Sequence, residues 1–110
     1  MRATIARTPS VVDRVFTPEE AAWARASRDP SQRFAVRFAA KEAVLKSLGA
    51  GLGATPLRSI EVVRSASGEP SIHLHDTAAT LAAERGVASF HVSLTHSSSV
   101  AAAVVVASGG

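Results

Sequence analysis

The sequence predicts an α+β domain in which helices pack against an antiparallel sheet. Two helical patterns occupy residues 17–48, and two pairs of alternating, strand-like segments follow with one short helix between them. Helices and hairpins segregated in this way are typical of the α+β class, whereas regular alternation of strands and helices would indicate a parallel sheet. The length of 110 residues is that of one domain, so we expect residues 1–110 to form a single unit.

The composition indicates a globular chain with a core of small side chains. Hydrophobic residues make up 46% and charged residues 19%, whereas aromatic residues make up only 5%. A core rich in Ala and Val gains from the surface that an oligomer interface buries. The absence of cysteine excludes disulfides, thiolate metal sites and Cys nucleophiles.

The net charge of +3 favours anionic partners such as nucleic acid, an acidic protein or a phosphate-rich small molecule. The arginines are scattered instead of forming a basic run, which argues against nucleic acid. No segment approaches the roughly 20 apolar residues of a membrane span, and the first residues lack the apolar run of a signal peptide. We therefore expect a cytoplasmic protein that binds neither membranes nor nucleic acid.

The first predicted helix has a complete start signal. Thr17 suits the N-cap, Pro18 the first helical position, and Glu20 the third position of a capping box. The helix is expected to reach about Ser27 and to end before the Arg-Asp-Pro sequence of residues 28–30.

The second predicted helix carries an unusual row of side chains. Ser31 is expected to cap it, and Gly49 to end it just after Leu48. At 3.6 residues per turn, an apolar stripe forms, and its border is occupied by charges. The row that begins in the core and ends at this border consists of Phe34, Phe38, Glu42 and Lys46, with Leu45 and the flank of Lys41 on the stripe.

The remaining elements are two hairpins and a helix. Residues 60–63 and 71–75 alternate as strands, and the Ser-Gly-Glu-Pro sequence of residues 67–70 is a turn between them. Asp76 is expected to cap a helix through Arg85 that ends at Gly86. Residues 88–95 and 100–107 form the second pair of strands.

Two interpretations of Glu42 and Lys46 remain open from the residues alone. The pair can be an ordinary helix-surface ion pair with four-residue spacing. It can also be a carboxylate that binds a hard cation beside a lysine that meets a phosphate. A carboxylate at the border of a core is costly unless it is paired or metal-bound, which favours the second interpretation.

The glycine loop at residues 49–53 also has two interpretations. Closely spaced glycines bring backbone amides near a phosphate. However, this loop follows a helix, and the chain has no Gly-Lys-Ser/Thr sequence, so neither a Walker loop nor a dinucleotide fingerprint is present. Taken alone, the loop is more often a linker.

The histidines give weaker signals. His73 and His75 share one face of a strand and could hold zinc, but no acidic or Cys ligand lies near them in sequence. We expect His91 to be structural. His96 stands where a strand meets the serines at residues 97–99, a position typical of ligand contacts.

Several motifs occur in a characteristic order from about Arg14 to the last strand. They are RFAAKEA at residues 37–43 with Lys46, the glycine loop, IEVV at 60–63, GEP at 68–70 and HVSLTH at 91–96. Together they resemble the holo-[acyl-carrier-protein] synthases, which are small phosphopantetheinyl transferases of fatty acid biosynthesis and lipid metabolism. The resemblance implies the α+β phosphopantetheinyl transferase fold, assembled as a homotrimer with active sites between subunits.

The resemblance also implies an activity. Members transfer 4′-phosphopantetheine from coenzyme A to a serine of apo-acyl carrier protein, which gives holo-acyl carrier protein and adenosine 3′,5′-bisphosphate. Glu42 matches the Mg²⁺-binding glutamate, and Lys46 matches the lysine near the transferred phosphate; both are therefore the expected catalytic residues. The residues that match the coenzyme A site are Arg37, Lys41, Gly49, Gly51, Gly53, Thr95, His96 and Ser97.

The chain departs from the family pattern at its start. Members open with a strand carrying Gly-x-Asp, whose aspartate is a second metal ligand, whereas here residues 6–9 resemble the end of the first helix and no Asp precedes Asp13. We expect this strand to be missing and Mg²⁺ to be held weakly by Glu42 alone. Arg7 and Arg14 remain as contacts for the acidic carrier protein. The alternatives are an impaired module that binds coenzyme A or carrier protein, and a basic nucleic-acid binder.

Overall fold

A computed structural model describes residues 9–96 and 101–109. Its elements follow the order that the sequence predicts and belong to the α+β class. The expectations about a missing first strand, Arg7 and Ser97 lie outside the described residues. The elements are α1 (Pro9–Val15), α2 (Pro18–Arg25), α3 (Pro30–Ser47), a 3₁₀ turn (Leu57–Ser59), β1 (Ile60–Arg64), β2 (Pro70–Leu74), α4 (Asp76–Glu84), β3 (Val87–His96) and β4 (Ala101–Gly109).

The capping box of α2 is confirmed. The backbone N–H of Glu20 donates to Thr17 Oγ1 at 3.3 Å, and the backbone N–H of Thr17 donates to Glu20 Oε1 at 2.9 Å. These two bonds satisfy donors that the first turn of a helix leaves unpaired. They also begin to orient the Glu20 carboxylate, which bonds to Lys41 of α3.

The predicted cap of α3 is wrong by two residues. Asp29 is the N-cap, and its carboxylate accepts from the backbone N–H of Gln32 at 3.3 Å. Pro30, read as a helix breaker, instead occupies the first helical position, which needs no N–H donor. The predicted end is confirmed, since Gly49 follows the helix with φ of +70°.

The start of α4 also differs from the prediction. His75 is the N-cap, without a side-chain capping bond, and Asp76 is the first helical residue. Asp76 has φ of +49°, a left-handed conformation that few residues other than glycine adopt. Gly86 ends the helix region as predicted, with φ of +73°.

The strands form two separate antiparallel hairpins instead of one sheet. β1 pairs with β2 so that Val62 lies opposite Ile72, and β3 pairs with β4 so that Val92 lies opposite Val105. Both hairpins pack against α3, and β2 also contacts β3 without a shared ladder of hydrogen bonds. The helix α3 is therefore the element that joins the two hairpins.

Two apolar clusters divide the core along α3. The N-terminal half of α3 contributes Phe34 and Phe38 to a cluster with α1 and α2, and the C-terminal half contributes Val44 and Leu45 to a cluster with β1 and α4. Leu57 packs against both clusters. The candidate site residues of α3 lie at and beside the boundary between the two clusters.

The outer face of the second hairpin is exposed and partly apolar. Val104 and Val106 of β4 keep 65% and 56% of their surface, whereas Val105 packs inward on the core. His91, opposite Val106, is exposed on β3, and its expected structural role stays a prediction. No helix within the described residues is long and apolar enough to cross a membrane.

Candidate functional site

Glu42 and Lys46 lie at the predicted border of α3. Glu42 is half-buried and Lys46 is exposed, one turn further along the helix. Neither side chain forms a hydrogen bond or an ion pair within residues 9–96 and 101–109. The helix-surface ion pair between Glu42 and Lys46 is therefore not observed, and both side chains remain available to a ligand.

Arg37 is a buried cation with unused donors. Only 2% of its surface is exposed, and its Nε and Nη1 have no hydrogen-bond partner in the described part of the chain. Burial lowers the pKa of its guanidinium to about 10, although the nearby Glu20 carboxylate raises it. A buried cation with orphaned N–H groups is costly, and an incoming anion would remove that cost.

A cavity of about 300 Å³ opens beside Arg37. Trp23 and Arg64 line it together with residues of the 68–70 turn and of β3. The Arg37 guanidinium stacks on the Trp23 ring at 4.0 Å, and those of Arg33 and Arg64 lie 4.3 and 5.5 Å from the same ring. Guanidinium groups around an aromatic wall suit a ligand that combines phosphate with a planar base.

Lys41 is completely buried, which its predicted place on the apolar stripe explains. Its ammonium donates to Glu20 Oε1 at 2.8 Å, to the carbonyl oxygen of Leu57 at 3.0 Å and to that of Ile60. Burial lowers its pKa, and the Glu20 carboxylate opposes that change. An ammonium has three donors. The predicted contact of Lys41 with coenzyme A therefore has no donor left to make it, and the residue has a structural role instead.

The glycine loop after α3 lies open at the surface. Gly49, Gly51 and Gly53 are all exposed, and Gly53 has φ of +95°. A Cβ atom built on Gly51 or Gly53 would meet nothing within 4 Å, so close packing inside the chain does not require glycine there. The loop is accessible to a ligand that approaches the C-terminal end of α3.

The other predicted site residues lie on the second hairpin and α1. Thr95 and His96 close β3, in register with Ala102 and Ala101 of β4. Arg14 is exposed in the last turn of α1. The roles predicted for these residues remain predictions.

His75, one of the two histidines that could have held zinc, belongs to a polar network instead. The His75 imidazole contacts Glu61 Oε1 at 2.9 Å, and the Thr17 hydroxyl donates to Glu61 Oε2 at 2.8 Å. Burial raises the pKa of Glu61, but the hydrogen bonds from His75 and Thr17 outweigh it and leave the pKa below its ordinary value. Within the described ranges, no group of three His, Cys, Asp or Glu side chains could hold a metal ion.

Three residues of the site escaped the sequence analysis: Glu20, Trp23 and Arg64. Glu20 had a sufficient explanation as a capping residue, and nothing in its spacing pointed to Lys41. Lys41 did give a signal, because a lysine on an apolar stripe needs an acidic partner. Trp23 and Arg64 come together only through tertiary packing.

Comparison with known proteins identifies the family. The model of the 4′-phosphopantetheinyl transferase superfamily matches residues 2–105. A holo-[acyl-carrier-protein] synthase from Moorella thermoacetica is 45% identical over 106 residues, which cover 96% of this chain and 83% of the relative.

Solved structures agree with this match. The holo-[acyl-carrier-protein] synthase of Neisseria meningitidis has a TM-score of 0.83 and 30% identity, covering 97% of this chain and 86% of that one. The enzyme of Helicobacter pylori, solved in complex with coenzyme A, has a TM-score of 0.79 and 27% identity, covering 97% and 93%. The chain thus belongs to the 4′-phosphopantetheinyl transferase superfamily, as a member of the holo-[acyl-carrier-protein] synthase family.

Proposed function

We propose that this chain transfers 4′-phosphopantetheine from coenzyme A to a serine of an apo-acyl carrier protein and releases adenosine 3′,5′-bisphosphate. The observation that carries the proposal is the pair of unused donors on buried Arg37, beside the cavity that Trp23 and Arg64 line. The guanidiniums of Arg37 and Arg64 bind phosphate groups at the nucleotide end of coenzyme A, and the indole of Trp23 contacts the adenine base. The glycine loop, Thr95 and His96 at the end of β3, and the following Ser97 complete the coenzyme A site.

Glu42 and Lys46 act on the diphosphate. A half-buried carboxylate without a partner among the described side chains fits Mg²⁺, which proteins commonly hold through one or two carboxylates plus substrate phosphates. When bound, Mg²⁺ would neutralise negative charge on the diphosphate. Lys46 is the cation one turn away and balances charge on the phosphate that is transferred.

The carrier protein binds through basic side chains near the N-terminus. Arg14 is exposed on α1, and the chain carries a net charge of +3. Charge of this sign attracts an acidic protein and speeds its association. Arg7 is the second proposed contact, and the reaction takes place in the cytoplasm.

The chain assembles as a homotrimer through the outer face of the second hairpin. Val104 and Val106 expose apolar surface there, which supports burial between copies. The molar mass in solution, measured by light scattering, tests this proposal. A trimer is the expected result, and a monomer at micromolar concentration would contradict it.

The activity is tested by mass spectrometry. Incubation with apo-acyl carrier protein, coenzyme A and Mg²⁺ is expected to add the mass of one phosphopantetheine group to the carrier. A carrier protein with Ala in place of the modified Ser is the control and should gain nothing.

Binding of coenzyme A without any transfer would instead support the impaired binding module. Affinity for duplex DNA that falls steeply with salt, without affinity for coenzyme A, would support a nucleic-acid binder.

A further inference from the structure

The Glu20 carboxylate is a junction between three elements. Its Oε1 accepts from the backbone N–H of Thr17 at 2.9 Å and from Lys41 Nζ at 2.8 Å. Its Oε2 accepts from the backbone N–H of Val62 at 2.8 Å. One buried side chain of α2 is thereby bonded to α3 and to β1. Its exposure is only 2%, so water does not compete for these bonds.

A second contact runs beside this ion pair. Glu20 and Trp23, three residues apart on α2, face Lys41 and Arg37, four residues apart on α3. Residues three or four apart lie on one face of a helix. The ion pair at 2.8 Å and the stacking contact at 4.0 Å therefore fix both the rotation and the position of α3 relative to α2. Glu42 follows Lys41 directly, so its direction is set by the same rotation.

The charge of Glu20 also acts on Arg37. The guanidinium of Arg37 is surrounded by two other cations, Arg33 and Arg64, which disfavour its charged form. Glu20 is the main anion that opposes them, and Glu61 adds a smaller contribution. Lys41, the remaining charge of the cluster, is paired with the same carboxylate.

We propose that Glu20 is a positioning residue for the coenzyme A site. Its carboxylate holds Lys41 inward so that α3 presents Arg37 to the cavity and Glu42 to the border. This inference rests on the proposed function and adds to it a residue that touches neither the substrate nor the metal.

The test uses a charge-removing pair of substitutions. Glu20→Gln and Lys41→Met each leave one buried partner unsatisfied and should lower the midpoint of thermal unfolding. The double variant E20Q/K41M removes both charges and should recover much of that loss. Glu19→Gln removes the same charge from the exposed neighbouring position of α2 and is the matched control.

The decisive readout is the dissociation constant of adenosine 3′,5′-bisphosphate, measured by calorimetry from pH 7 to pH 10. The unmodified chain should keep its affinity until Arg37 deprotonates near pH 10. The double variant should bind about tenfold more weakly at pH 7.5, because α3 is no longer held so that Arg37 faces the cavity. It should also lose its affinity at a lower pH, because the main anion that favours charged Arg37 is gone. The E19Q control should bind as the unmodified chain does.

Two failures are distinguishable. If the double variant folds and binds with the same affinity and the same pH profile as the unmodified chain, Glu20 is structural only and the inference is overturned. If the unmodified chain binds neither coenzyme A nor adenosine 3′,5′-bisphosphate, the proposed function fails, and the inference fails with it.

Discussion

Replacing Arg37 by Met should stabilise the fold while it weakens coenzyme A binding. Only 2% of the surface of Arg37 is exposed, and its Nε and Nη1 have no partners among the described residues. A pKa lowered from the ordinary value of arginine to about 10 means that folding disfavours the charged form by about 3 kcal/mol, at about 1.4 kcal/mol per pH unit. Methionine matches the aliphatic stem of arginine and has no donor that needs a partner.

The expected gain is smaller than this figure because one favourable contact is lost. Stacking of the guanidinium on Trp23 contributes about 1 kcal/mol. The free energy of unfolding of Arg37→Met, measured in urea at pH 7.5, should therefore exceed that of the unmodified chain by about 2 kcal/mol. Since Arg37 loses its charge as the pH rises past about 10, the difference between the two proteins should shrink above that pH.

Arg33→Met is the matched control on the same helix. Arg33 also stacks on Trp23, but its Nη1 donates to the carbonyl oxygen of Trp23 at 2.7 Å. Its substitution should cost about 1 kcal/mol of stability instead of adding any. Arg37→Met should also weaken coenzyme A binding at least about tenfold by calorimetry. A variant that is less stable than the unmodified chain, or one that binds coenzyme A normally, would refute the reasoning.

Three further substitutions test other parts of the molecule. Glu42→Gln should slow phosphopantetheine transfer, measured by mass spectrometry, and raise the Mg²⁺ concentration that transfer requires. The unfolding midpoint should stay unchanged. Transfer at the normal rate would show that Glu42 does not belong to the site. Glu61→Gln should lower stability by about 1 kcal/mol at pH 7. Because the folded pKa of Glu61 is lowered, this loss should disappear as the pH falls through that pKa, and an equal loss at pH 3 would contradict the charged network. Gly49→Ala should cost about 1 kcal/mol in urea unfolding, since φ is +70°, and an unchanged midpoint would argue against that turn.

Local structure followed from the sequence wherever neighbouring residues decide it. The capping box of Thr17 and Glu20, the end of α3 at Gly49 and the exposed border position of Lys46 depend on side chains within a few residues of one another. The prediction of the N-cap of α3 was wrong for a local reason too. Asp29 and Ser31 are both suitable N-cap residues, and Pro30 at the first helical position makes Asp29 the cap.

The chemistry of α3, in contrast, required the tertiary structure. Helical spacing alone predicted that Lys41 lies beside the core, but its partner Glu20 is 21 residues away and was already explained as a cap. The same spacing did not reveal that Arg37 is buried against Trp23, because that contact depends on how α2 crosses α3. The order of motifs from residue 37 to residue 96 by itself indicated the family and most of the candidate residues. Packing between α2, α3 and β1 decided that Lys41 is fully hydrogen-bonded inside the fold, whereas Arg37 keeps donors for a phosphate. Burial and pairing depend on contacts between residues that are distant in sequence, so the sequence alone did not show this difference.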